Sequence, residues 1–136
     1  MSAEDQGVQT HVLLVDDHAD FRRLMVATLA RHPDLEVVAE AGSLAEARKH
    51  AAAVRYDVVV LDLGLPDGNG VDLIGDVREF NAGAAVLILS ASLHPTNLER
   101  ATEAGADEIL DKLASPGEIV ATVRRLGTGE APTRRE

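Results

Sequence analysis

Five side chains of the 136-residue sequence share one kind of position. Asp16 and Asp17 follow the apolar run Val12–Val15, Asp62 follows Val58–Leu61, Ser90 follows Ala85–Leu89, and Lys112 follows the short stretch Asp107–Leu110. If the runs are strands of one sheet, all five meet at its carboxyl edge. Three carboxylates gathered there repel one another. A hard divalent cation relieves that repulsion, and Mg²⁺ takes carboxylate oxygens at about 2.0–2.1 Å while keeping some water and accepting a phosphate oxygen. A carboxylate can also accept a phosphoryl group as an acyl phosphate. Such a transfer needs the charge on the equatorial oxygens met by cations and donors, which Lys112 and Ser90 supply. A single Asp after a strand is ordinary turn or cap chemistry. Convergence of all five is what points to a site.

The elements that must position these residues are legible. Val12–Val15, Val58–Leu61 and Ala85–Leu89 are continuous apolar runs, as parallel strands covered on both faces require. Leu35–Glu40 alternates, with Leu35, Val37 and Ala39 opposite Glu36, Val38 and Glu40, which predicts a half-exposed edge strand. Asp107–Leu110 predicts the other edge. Between them lie helical patterns: a core stripe of Phe21, Leu24, Met25, Thr28 and Leu29; an Ala-rich helix capped by Ser43 with Glu46 three residues on; Val71–Asn81 with Ile74, Val77 and Phe80; a mostly polar Thr96–Ala104; and a last helix opened by Ser115 or Pro116 with Ile119, Val120, Val123 and Leu126. Five strands alternating with five helices predict an α/β fold, a flavodoxin-like (CheY-like) doubly wound, five-stranded parallel sheet in the order 2-1-3-4-5 with helices on both faces. In such sheets the ligand site lies beyond the carboxyl ends of the strands. Residues 1–10 and 127–136 read as tails around one domain spanning 11–126, the second being linker-like in composition.

Composition narrows the partners. Hydrophobic residues make up 46%, enough for a core without staples, and there is no cysteine for a disulfide or thiolate site. A net charge of −10 argues against direct nucleic-acid binding by this segment. No apolar run has the length of a membrane span, and Met1–Thr10 lacks a signal-peptide pattern, so a soluble cytoplasmic protein is expected. His18 reads as a solvated residue at the start of the first helix. His94 and Pro95 read as shaping the fourth. Gly64, Gly68 and Gly70 around Pro66 read as turn formers.

The stretches VLLVDDH, VVVLDLGLPDGNG, LILSAS and GADEILDK resemble the receiver domains of two-component response regulators over roughly residues 11–126. DDHADFRRLMVATLARHPDLEVVAEAGSLAEA and DKLASPGEIVATVRRL resemble the NarL/FixJ subfamily most. The resemblance implies that Asp62 is the phosphoacceptor and that Mg²⁺ is held by Asp62, directly by Asp17, through water by Asp16, and by the backbone carbonyl of Gly64. It implies that Lys112 and Ser90 contact the phosphoryl group, with Ser90 as the switch hydroxyl, and that the small Ala91 leaves access. The donor would be a phosphohistidine on a sensor histidine kinase or phosphotransfer protein. The domain would catalyse its own phosphorylation and slow dephosphorylation rather than turn over a substrate. An output domain or partner protein and a homodimer are compatible with it.

The sequence also departs from the family pattern. The switch aromatic of the last strand is replaced by Ile109, Glu108 stands where Gly is frequent, Leu113 where Pro is common, and Leu65 where Met is frequent. The chemical set is intact, whereas the signal-propagating set is altered. That keeps open an atypical receiver acting mainly as a protein-interaction module. Two other classes fit less well. An Asp-nucleophile phosphatase of the haloacid dehalogenase type wants a second Asp where Gly64 stands. A flavin binder wants a hydroxyl- and Gly-rich loop in place of Asp16 and Asp17, and more aromatics than 2%. NarL/FixJ proteins usually continue into a DNA-binding helix-turn-helix domain, so an excised receiver and a stand-alone regulator both remain open.

Overall fold

The computed structural model describes residues 9–91 and 94–129. In chain order the elements are β1 (Thr10–Val15), α1 (Ala19–Ala30), β2 (Leu35–Ala41), α2 (Leu44–Ala53), β3 (Val58–Leu61), the two-residue strands β4 (Gly64–Leu65) and β5 (Gly68–Asn69), α3 (Val71–Phe80), β6 (Ala85–Ser90), α4 (Pro95–Ala104), β7 (Glu108–Asp111) and α5 (Pro116–Gly127). The main sheet is parallel with order β2-β1-β3-β6-β7. Counting its five strands alone, this is the expected 2-1-3-4-5. Gly64–Leu65 and Gly68–Asn69 form a separate antiparallel hairpin around Pro66 and Asp67.

Strand alternation sorts the core onto two faces. Leu13, Val15, Val59, Leu61, Val86 and Ile88 meet residues of α2, α3 and α4, including Ala47, Ile74, Val77 and Ala101. Val12, Leu14, Val58, Val60, Leu87 and Leu89 meet residues of α1 and α5, including Met25, Leu29, Ile119 and Val123. Double-sided burial is why the central strands are apolar at every position. Among the described residues no helix is long and apolar enough to cross a membrane.

Several expectations are corrected. The β1–β2 register shifts between Val12 and Leu13, pairing Val12 with Val37 and Leu13 with Ala39. The extra residue in β2 flips its alternation, as a bulge does. Leu35 and Val37 therefore face α1 and α5, whereas Val38 and Ala39 face the other side. Leu24 and Phe80 are exposed rather than in the core. Leu24 lies beside the stripe that Met25 and Leu29 make, and Phe80 is the last residue of α3, beyond the buried Val77. At the chain ends, Thr10 is a buried β1 residue paired with Leu35, and Gly127 is the last residue of α5. A Cβ on Gly127 would lie only 2.2 Å from the Thr10 side chain. Gly127 is thus a packing position, not linker. Of the rest of the predicted tails, Gln9, Thr128 and Gly129 are described outside the strand and the helix, and residues 1–8 and 130–136 lie outside the described residues.

Candidate functional site

The backbone ladders run on past the strand ends and carry the chemistry with them. The Asp16 N–H donates to the Ala41 carbonyl at 3.0 Å, the Asp62 N–H to Val15 at 2.9 Å, and the Lys112 N–H to Ser90 at 3.1 Å. Asp16, Asp62 and Ser90 are buried polar residues, 2%, 6% and 1% exposed, although each stands at the open end of the sheet. Gly70 lets the chain after Asp62 fold back. A Cβ there would meet the Asp62 carbonyl oxygen at 2.6 Å, so only glycine fits the approach. The hairpin that follows is tied to α2. The Asp67 carboxylate accepts from the Leu44 and Ala45 N–H groups at 2.7 and 3.0 Å, two of the free donors at that helix start. These backbone hydrogen bonds hold its pKa below the ordinary carboxylate value, and the helix dipole favours the same charge. Ser43 caps the helix as expected, accepting from Glu46 N–H at 3.1 Å. The Glu46 carboxylate reaches back to Gly42 N–H at 2.8 Å, one residue before the cap.

The centre of the site is an ion cluster. Lys112 Nζ lies 2.8 Å from Asp16 Oδ2 and 3.2 Å from Asp62 Oδ2, and its side chain is 11% exposed. It also sits 4.6 Å from the centroid of the Phe21 ring, a cation–π contact on the helix that begins beside the acids. Burial alone would lower the Lys112 pKa, but the hydrogen bond to Asp16 and the charge of Asp62 outweigh it, and the net shift is upward. Asp17 is exposed. Asp16, Asp17, His18 and Asp62 each present a ligand atom, all within 4.8 Å of one another. Gly64, also exposed, brings its N–H to 3.4 Å from Asp62 Oδ1. Ala91 is exposed directly after Ser90, and the next two residues, Ser92 and Leu93, lie outside the described ones.

Asp16, Asp17, Asp62 and Lys112 therefore meet, and Ser90 ends the neighbouring strand. Ile109 does not join them. It is half-buried, pairs with Ile88, and packs on the α2, α3 and α4 side of the sheet. Beside it opens a groove of about 480 Å³ lined by residues 105–109 and Thr102. Glu108 is occupied too, accepting from Arg125 Nη2 of α5 at 3.1 Å.

Three residues at the site were not anticipated as such. The His18 ring is largely exposed, as the sequence predicts, yet Nδ1 lies 3.3 Å from Asp16 Oδ1 and 3.4 Å from Asp17 Oδ1. Its adjacency to two acids was the available signal. Arg22 bonds the Asp16 carbonyl and Glu40, fixing the β1 end from α1. Asp67 is 23 positions from the N–H it caps, and no local pattern announces that pairing.

The donor set suits a hard divalent cation: three carboxylates, two of them buried, offer oxygen ligands to one point. The Lys112 ammonium already sits as a cation between Asp16 and Asp62, which shows that the pocket is built to hold positive charge.

A doubly wound parallel sheet with acids and a lysine at its carboxyl edge defines a class, and the comparisons with known proteins agree with it. The family model described as the response regulator receiver domain matches residues 12–124, and the chain belongs to that family. It is 40% identical over 120 residues to the DNA-binding transcriptional activator DevR/DosR of Mycobacterium tuberculosis, covering 88% of this chain and 55% of that protein. It is 36% identical over 118 residues to the transcriptional regulatory protein UhpA of Escherichia coli, covering 87% and 59%. The chain thus spans a little over half the length of these relatives. Among solved structures, the signal receiver domain of the putative response regulator NarL from Mycobacterium tuberculosis superposes with a TM-score of 0.83 at 31% identity, covering 90% of this chain and 98% of that one. A two-component response regulator of the LuxR family from Aurantimonas sp. gives 0.82 at 30% identity, covering 90% and 88%. The likeness to NarL-type receivers agrees with the resemblance drawn from the sequence.

Proposed function

We propose that this chain is the phosphoacceptor of a two-component pathway, with Asp62 receiving a phosphoryl group from the phosphohistidine of a sensor kinase or phosphotransfer protein. The observation that carries the reading is the pairing of Lys112 Nζ with both Asp16 and Asp62 at the open sheet edge. An Asp62 carboxylate oxygen forms the new O–P bond while the P–N bond to the donor imidazole breaks, and the electron pair leaves with that imidazole. Lys112 meets the charge on the phosphoryl oxygens, and the Ser90 hydroxyl donates to another. Asp17 and Asp62 would hold Mg²⁺ directly, Asp16 through water, with the Gly64 carbonyl completing the set. Bound there, the ion would neutralise the acids and the incoming phosphoryl oxygens. The exposed, small Ala91 leaves the approach open. The phosphorylated state would bias an output, and the transcriptional roles of the relatives suggest a regulator acting on transcription in the cytoplasm through an output domain or partner. We place the receiver domain at residues 11–126, extended to take in Thr10 and Gly127.

A second reading, a receiver that mainly binds partners, is favoured by Ile109, which cannot swing as a ring does. One experiment separates the two. Intact mass is read after incubation with Mg²⁺ and a small phosphodonor such as phosphoramidate, in the wild type and in Asp62→Asn. The proposal expects one hydroxylamine-labile phosphoryl adduct, absent from Asp62→Asn. Undiminished labelling of Asp62→Asn refutes the assignment, and no labelling of the wild type favours the interaction module.

A further inference from the structure

The hairpin that carries Gly64 has little of its own to hold it. Gly64–Leu65 and Gly68–Asn69 pair over two residues, and so short a ladder is marginal by itself. Gly64 is exposed, and a Cβ there would meet no described residue within 4 Å. Its place beside Asp62 must be fixed from elsewhere. One anchor is the return into α3, where the Gly70 N–H donates to the Leu63 carbonyl at 2.8 Å and the Val71 N–H to Asn69 Oδ1 at 2.8 Å.

The other anchor is α2, and Asp67 makes it. The two Asp67 oxygens accept from Leu44 and Ala45, the first two N–H groups of the helix, while Ser43 Oγ accepts from Glu46. Leu65 shares a core cluster with Leu44, and a Cβ on Gly68 would lie 2.8 Å from Leu44 Cδ2. Capping alone does not ask for a partner 23 positions away, because water or a local side chain can satisfy a helix start. What the distant partner adds is a link. Just before the helix, the Ala41 carbonyl accepts from the Asp16 N–H at 3.0 Å. Asp67 thus joins the loop bearing Gly64 to the strand end that holds Asp16. A ligand group fixed beforehand binds more tightly than one that must be ordered on binding.

We propose that Asp67 is a positioning residue of the phosphoryl-transfer site. Its tie to α2 fixes the Gly64 carbonyl relative to Asp16, Asp17 and Asp62, and through that placement sets the affinity for Mg²⁺. The inference rests on the metal site of the proposed function and adds to it a residue that is not itself a ligand.

The test uses the whole chain as wild type, Asp67→Ala, Asp67→Asn, Ser43→Ala and Asp17→Asn. Ser43→Ala controls for helix stability, since it removes a cap from α2 and leaves the Asp67 tie in place. Calorimetric titration gives the Mg²⁺ Kd, and amide exchange without the ion reports on residues 64–69. Asp67→Ala should raise Kd about tenfold, the lower end for residues that orient metal ligands. It should also speed exchange at residues 64–69. Asp67→Asn keeps one acceptor oxygen and should fall between Asp67→Ala and wild type; it decides the matter if Asp67→Ala does not fold. Ser43→Ala should leave Kd and hairpin exchange as in the wild type. A wild-type Kd in the Asp67 variants, or an equal loss of affinity in Ser43→Ala, overturns the role of Asp67 and leaves the Mg²⁺ site standing. Mg²⁺ binding that Asp17→Asn does not weaken overturns the metal site, and this inference with it.

Discussion

Two helices flank the edge strand β7, and they are held very differently. α5 buries Ile119, Val120, Thr122, Val123 and Leu126 against the sheet. It is pinned further by Arg124 to Asp34 at 2.6 Å and by Arg125 to Glu108 at 3.1 Å. α4 buries only Ala101, and beside it lies the groove at Ile109. Each follows a strand end that carries or adjoins a site residue, Ser90 before α4 and Lys112 before α5. The difference teaches where a signal raised at Asp62 can go. A helix with few buried apolar contacts has a small free-energy gap to an alternative position, whereas a well-anchored one does not. The phosphoryl state should therefore move α4 and leave α5 in place.

The largest expected effect tests that asymmetry directly. Ile119→Ala removes a side chain 2% exposed in the α5 face and should destabilise the fold by about 2–5 kcal/mol. Leu98→Ala in α4, at a half-buried position, should cost under about 1 kcal/mol. Urea melts followed by far-ultraviolet circular dichroism measure both. Equal losses would break the comparison.

A smaller effect comes from the site. Mg²⁺ should relieve repulsion among Asp16, Asp17 and Asp62 and raise stability by about 1.4 kcal/mol at a free concentration near 10 times Kd. The rise should vanish in Asp17→Asn. An equal rise in that variant would place the stabilising ion elsewhere.

The smallest effect sharpens the account of how α5 is pinned. The hydrogen bond from Arg124 outweighs burial and lowers the Asp34 pKa below its ordinary value. A depressed carboxyl contributes stability above the unfolded pKa, and the contribution is lost as pH falls through the folded value. The pair is well exposed, so screening limits it to about 0.5 kcal/mol. Asp34→Asn should lose that amount near pH 7, and the gap to wild type should close as pH falls from about 5 to about 3. A gap constant with pH would mean that Asp34 acts through something other than its charge.

Much of this was legible in the sequence for a physical reason. Central parallel strands are buried on both faces, so Val12–Val15 and Val58–Leu61 announce themselves, and residues just past such runs must meet at one edge. The meeting of Asp16, Asp17, Asp62 and Lys112 followed from strand order alone. Features set by tertiary contact did not follow. The bulge in β2 comes from its pairing with β1, and it reversed the face of Ala39. The cap of Asp67 on α2 and the embrace of Glu108 by Arg125 join residues far apart in the chain. The inward turn of His18 depends on a backbone hydrogen bond that a solvated reading could not foresee.

The most direct measurement is amide hydrogen exchange with and without Mg²⁺ and beryllofluoride, a phosphoryl mimic on carboxylates, in the wild type and in Asp62→Asn. The predicted result is changed exchange across α4, Pro95–Ala104, larger than any change at Ile109 or in α5, and none in Asp62→Asn. A response confined to β7 and α5 with α4 silent, or one that persists in Asp62→Asn, would contradict the account.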